Sequence, residues 1–191
     1  MKTIYNKIAV ILILFLSLIS CKAQQTFPLN SDYEEIPQNS YLKDLNNELT
    51  PYVGTYKTNF NGKEIMLFIT KQEDKLEQSA QKNYYMDALI VKYIVKNSSG
   101  NILQDTQNDT SSKIELYSIG TKPTKNEIIF VYSGTNCHVG WGKIILKKVN
   151  VTQISWEYRP NDITTTESKC PSTLDTTIYL PETKDLIFTK Q

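Results

Sequence analysis

From Tyr52 onward apolar and polar residues alternate with a period of two, the pattern of strands with one face buried. The clearest unit surrounds Asn61-Gly62, a pair suited to a type I′ turn because both central residues of that turn need positive φ. A two-residue loop there pairs Phe60 with Lys63, Thr58 with Ile65, Tyr56 with Leu67 and Gly54 with Ile69. That register gathers Tyr56, Thr58, Ile65, Leu67 and Ile69 on one face and sends Lys57, Asn59 and Glu64 to the other, with Met66 and Phe68 as exceptions. Further strands are expected over Met86–Lys96, near Ile102, and over Lys113–Ile119, Glu127–Tyr132, Lys143–Val149, Thr152–Tyr158 and Leu186–Thr189. Leu89, Val91, Tyr93 and Val95 face inward in the first of these, and Ile154, Trp156 and Tyr158 in the penultimate one. The links are rich in Gly, Pro, Asn, Asp and Ser, and Gln72–Asn83 reads as a loop. About eight to ten short strands predict an all-β domain, an antiparallel meander closed into a barrel or folded into a sandwich.

Before residue 52 the pattern changes. Ser40 offers an N-cap, Leu42, Leu45 and Leu49 recur at helical spacing, and Pro51 ends the run, so a short N-terminal helix is expected. Lys22–Asn39 is polar, contains Pro28 and Pro37 and has no period; it reads as a flexible tether. Lys2 and Lys7 precede the almost wholly apolar Ile8–Ile19, which has the make-up of a secretory leader. That run falls short of the roughly 20 residues a bilayer-spanning helix needs. The expected organisation is a signal peptide over 1–20, a tether beginning at Cys21 over 21–39, and a β-rich domain over 40–191.

Charge narrows the function classes. Without Lys2 and Lys7 the mature chain has 19 basic residues against 20 acidic ones, a near-neutral balance that argues against a nucleic-acid partner. Arg159 is the only arginine, so bidentate clamps for phosphate or carboxylate have little material. Of three cysteines, Cys137 and Cys170 remain once Cys21 is set aside. In an exported protein such a pair reads as a disulfide, with free thiols or metal ligation as the alternatives.

Candidate chemistry is sparse. His138 is the only histidine, and its neighbour Cys137 would point to the opposite face of an extended segment, so the two do not make a nucleophile–base pair. Cys137, His138 and Cys170 are a thin ligand set for zinc. The sequence carries no Gly-rich phosphate loop, Gly-x-Ser-x-Gly elbow or His-Glu-x-x-His. Glu73-Asp74 falls in the expected loop, where solvation suffices. No catalytic residue, metal or cofactor is therefore expected. Ser133–Gly142 is the most unusual segment, with three glycines flanking Cys137, His138 and Trp141. It suits either a wide hairpin end whose tryptophan lids the barrel, or a rigid recognition loop using Trp141 with Asn136 and His138.

Leu18-Ile19-Ser20-Cys21 resembles the lipobox of bacterial lipoproteins, which implies that Cys21 becomes the first mature residue and carries the lipid. Gly54-Thr55-Tyr56 after a short helix resembles the opening of lipocalin-like barrels, with Tyr in place of their Trp and without their late-strand Arg. Tyr41–Lys75, from Tyr41-Leu42-Lys43-Asp44-Leu45-Asn46-Asn47-Glu48 into Tyr52-Val53-Gly54-Thr55-Tyr56, resembles an uncharacterised family of Bacteroidota lipoproteins. Together these imply an envelope protein held on a membrane by lipid. Lys22-Ala23-Gln24-Gln25 lacks the acidic cluster tied to surface export in that group, so the outer membrane facing the periplasm is the expected site. The expected partners are that membrane and either a small apolar ligand, which an eight-stranded barrel can hold, or an envelope protein.

Overall fold

A computed structural model describes residues 24–191, so the expected leader and Cys21 lie outside the described residues. Eleven strands form within them: β1 (Thr26–Pro28), β2 (Tyr41–Lys43), β3 (Gly54–Phe60), β4 (Lys63–Gln78), β5 (Asn83–Lys96), β6 (Ile102–Asp105), β7 (Leu116–Lys122), β8 (Glu127–Tyr132), β9 (Gly142–Lys148), β10 (Gln153–Pro160) and β11 (Leu186–Lys190). Asn61 and Gly62 take φ of 48° and 72°, and the β3–β4 register is the one the turn predicts, residue for residue.

Strands β3–β5 and β7–β11 run up and down round a ring. It closes where β11 pairs β3 and where Ile90 of β5 pairs Tyr117 of β7. The result is an antiparallel eight-stranded barrel. Its interior is filled by side chains from every wall, among them Tyr56, Leu67, Tyr93, Phe130, Leu146 and Trp156, none with measurable exposure. An aromatic chain crosses it: Tyr93 to Tyr132, Tyr132 to Tyr158, Tyr158 to Trp156 and Trp156 to Phe188, with ring centroids 5.6–6.5 Å apart. Such pairs add about 0.5–1.5 kcal/mol each beyond the area they bury. Their polar ends are satisfied, as Trp156 Nε1 donates to Pro181 O at 2.9 Å and the Tyr158 hydroxyl to Gly140 O. At β11, Lys190 donates to Val53 O at 2.7 Å and sits over the Tyr56 ring.

One edge of β5 pairs β4 throughout; the other is shared by β2 (Tyr41↔Tyr85), β7 (Ile90↔Tyr117) and β6 (Ile94↔Asp105). Hydroxyls fill the gaps at this seam. Leu89 N donates to Ser118 Oγ and Tyr93 N to Thr106 Oγ1, both at 2.8 Å. Antiparallel order sorts the connections onto two poles. The turns at 61–62 and 97–101 and the loops at 133–141 and 161–185 lie at one, the disulfide pole. Residues 44–53, 79–82, 123–126 and 149–152 lie at the other, the N-terminal pole.

Three expectations need correction. The helix expected from Ser40 is instead β2 followed by turns and a 3-10 turn at Thr50–Tyr52, and Leu45 is exposed. The Asp44 carboxylate accepts the Glu48 and Leu49 N–H groups at 2.6 and 3.3 Å, holding a compact turn where a helix would leave Asp44 facing outward. The stretch read as a tether is docked from residue 24 onward: β1 pairs β2 in parallel, and Leu29 and Ile36 are buried. Two apolar residues seven apart set no period, so composition alone misread them. The expected loop at Gln72–Asn83 is a continuation of the β4–β5 hairpin past a bulge at Asp74, whose φ is 53°.

A buried ionic cluster latches this strap. Asp44 and Asp87 share Lys71, whose ammonium is 3.0 Å from Asp44 and 3.9 Å from Asp87. Asp87 also accepts Asp44 N at 2.9 Å and the Tyr41 hydroxyl. Burial, then the Asp87 carboxylate, pushes the Tyr41 hydroxyl well above its ordinary range, so it acts as a neutral donor. If the strap is part of the folded unit, Ile36→Ala lowers unfolding free energy by about 2–4 kcal/mol in chemical denaturation. A free tether would give no change.

Candidate functional site

The Ser133–Gly142 loop folds tightly because its glycines allow close backbone approach. Gly134 (φ 85°) lies so close that a Cβ there would come within 2.6 Å of the His138 backbone. At Gly140 (φ 73°) a Cβ would meet Ile178 and the Tyr158 hydroxyl within 2.8 Å. Thr135 N donates to Val139 O at 2.9 Å, closing a turn in which Cys137 and His138 both take positive φ. Three bonds carry this loop to its neighbour: the disulfide Cys137–Cys170, with Cα atoms 5.6 Å apart, Asn136 Nδ2 donating to Asp175 O at 2.7 Å, and Asn161 N donating to Trp141 O at 2.7 Å. A cross-link closing a loop of this length is worth roughly 3–4 kcal/mol in the chain-entropy account. Thr177, then Tyr179, hydrogen-bonds the Asp175 carboxylate and holds it below its usual range.

The disulfide removes both sulfurs from nucleophilic chemistry. His138 directs Nδ1 at the Ser133 carbonyl oxygen 3.0 Å away; a carbonyl only accepts, so Nδ1 is the donor of this bond. Among the described residues no group of three or more His, Cys, Asp and Glu is placed to hold a metal ion. Nor is any helix there long and apolar enough to cross a membrane.

Two hollows meet at this loop. One, of about 550 Å³, is polar and lies between Gln104, Asp109, Ser112, Asn136, His138 and Asp175. The other, of about 540 Å³, is mainly apolar, open to solvent, and lined by Val131, Tyr132, His138, Trp141, Ile163 and Thr164. Ser133 and His138 line both, forming the ridge between them. Trp141 is 42% exposed and Ile163 40%. Inside the barrel, burial raises the Tyr132 hydroxyl to about 12, and it meets the Tyr93 hydroxyl 3.1 Å away.

Of the residues singled out in the sequence, the fold brings Asn136, His138 and Trp141 to one pole, with His138 central. Asn136 bonds Asp175 O across to the neighbouring loop, and Trp141 is partly exposed whereas Trp156 is fully buried. Sequence reading missed Ile163 and Thr164. They sit in an aperiodic segment, and only the pairing of Pro160 with Gly142, which aligns the two loop bases, brings them beside Trp141. A hydroxyl chain was also missed: Tyr93 donates to Gln104 at 2.8 Å, and Gln104 reaches Thr135 at 3.3 Å, linking barrel interior to loop.

Residues 1–191 match a family of unknown function (DUF6705), and the chain belongs to that family. No curated protein and no solved structure matches it.

The two tryptophans separate surface from core. Trp156→Ala should cost about 3–5 kcal/mol of stability. Trp141→Ala should cost less than about 1 kcal/mol, as surface changes do. Equal losses at the two sites would place Trp141 in the core.

Proposed function

We propose that this member of the family is a lipid-anchored envelope lipoprotein whose barrel is a binding module, engaging a protein partner through the disulfide pole. The observation that carries this reading is the combination of a filled interior with an exposed aromatic hollow. The space inside the barrel is taken by Trp156, Tyr56, Tyr93, Phe130 and their neighbours. A small apolar ligand, if one binds, is left with the outer hollow at Trp141 and Ile163. An apolar hollow beside a polar one matches the anatomy of protein interfaces, where aromatic anchors sit inside a polar rim. The disulfide and the Asn136–Asp175 bond hold the loops in one conformation, which lowers the ordering cost of association. Lys2, Lys7, the apolar Ile8–Ile19 and Leu18-Ile19-Ser20-Cys21 support export and lipidation at Cys21.

The test uses the full chain in the cells that make it. A photo-crosslinking residue in place of Ile163 should capture one discrete protein, and Trp141→Ala should abolish that adduct. The same probe at Lys92, on the barrel wall, should give none. Matching adducts from both positions, or none from either, would overturn the protein-partner reading; a bound lipophile recovered with the purified protein and lost in Trp141→Ala would replace it with the small-ligand one. Cys21→Ala should shift the chain from the membrane fraction to the soluble one, and a wild type that is already soluble would overturn the anchor.

A further inference from the structure

We infer that the anchored barrel stands with its N-terminal pole against the lipid surface and its disulfide pole directed away, so the Trp141 hollow meets partners from the aqueous side. The inference rests on Cys21 being the lipid attachment point. Its own basis is the docked strap. Thr26 pairs with Tyr41, and Tyr41 with Tyr85, so the chain enters the fold level with the start of β5. Five residue steps separate Cys21 from Thr26 and span at most about 18 Å. From Tyr85 to Lys96, where β5 reaches the disulfide pole, eleven steps cover roughly 36 Å. The lipidated residue therefore lies within reach of the N-terminal pole and well short of the other. Had residues 21–39 been the free tether their composition suggests, either pole could have faced the membrane. The turn at 149–152 on the N-terminal pole presents Val151, 84% exposed, and Val149, 50% exposed, with Lys147 and Lys125 also exposed there. Apolar tips among lysines suit a headgroup interface. The disulfide pole instead carries the two hollows.

The experiment places one dye at Lys125→Cys on the N-terminal pole or at Ser99→Cys on the disulfide pole. The lipidated full chain is reconstituted in phosphatidylethanolamine–phosphatidylglycerol vesicles carrying a headgroup acceptor. Energy transfer should be several-fold greater from position 125 than from position 99. A twenty-residue Gly-Ser insert between Ala23 and Gln24 gives a root-mean-square reach of roughly 25 Å and should erase most of that difference while flotation persists. Equal transfer from the two poles in protein that floats with the vesicles would overturn the orientation and leave the anchor standing. Failure to float would overturn the anchor, and the orientation with it. A pole difference that survives the insert would show that the short tether is not its cause.

Discussion

The structure depends on how β5 divides its second edge. A closed barrel must satisfy every strand edge, and here one edge of β5 is committed to β4 while three strands share the other. Only one residue pair joins β5 to β7, so closure relies on the Ser118 and Thr106 hydroxyls accepting β5 amides that a longer β7 pairing would have taken. An unpaired buried N–H costs about 1–3 kcal/mol, which makes these two side chains part of the closure. The same division leaves the first residues of β5 free for β2, and so fixes where the N-terminal strap enters.

Function follows from that arrangement in two ways. The strap and its Asp44–Lys71–Asp87 latch lie at one pole, while the longest loops are tied together at the other. Between the poles the interior is packed with buried aromatic and aliphatic side chains of the described residues, among them Trp156, Tyr56, Tyr93 and Phe130. The proposed recognition surface lies outside the barrel, where Trp141 and Ile163 come from two loops brought together by the β9–β10 ladder. The disulfide cross-links those same two loops.

Much of this was legible in the chain. Asn61-Gly62 dictated a register, and the inward residues of β5 and β10 followed from alternation alone, because a period of two survives wherever one face is buried. The Cys137–Cys170 disulfide agrees with the reading of these two cysteines as a pair. The failures share a cause. Leu42, Leu45 and Leu49 imitate a helical stripe, yet Asp44 between them prefers to cap a turn and pair with Lys71, a partner far along the sequence. Leu29 and Ile36 are buried by contacts that no local period encodes. Among the candidate residues at the disulfide pole, Asn136, His138 and Trp141 stood out by composition, whereas Ile163 became visible only through β9–β10 pairing.

The central claim is that the strap belongs to the folded barrel, since its docking decides both the domain boundary and the reach of the chain before it. Native-state hydrogen exchange measures this residue by residue. Tyr41 N donates to Gln25 O and Tyr85 N to Ser40 O, each at 2.8 Å, so these amides report on the strap directly. The account predicts that they exchange with the same opening free energy as the β4–β5 ladder, by global unfolding. Exchange of Tyr41 and Tyr85 near unfolded rates, while the amides of the β4–β5 ladder stay protected, would contradict it.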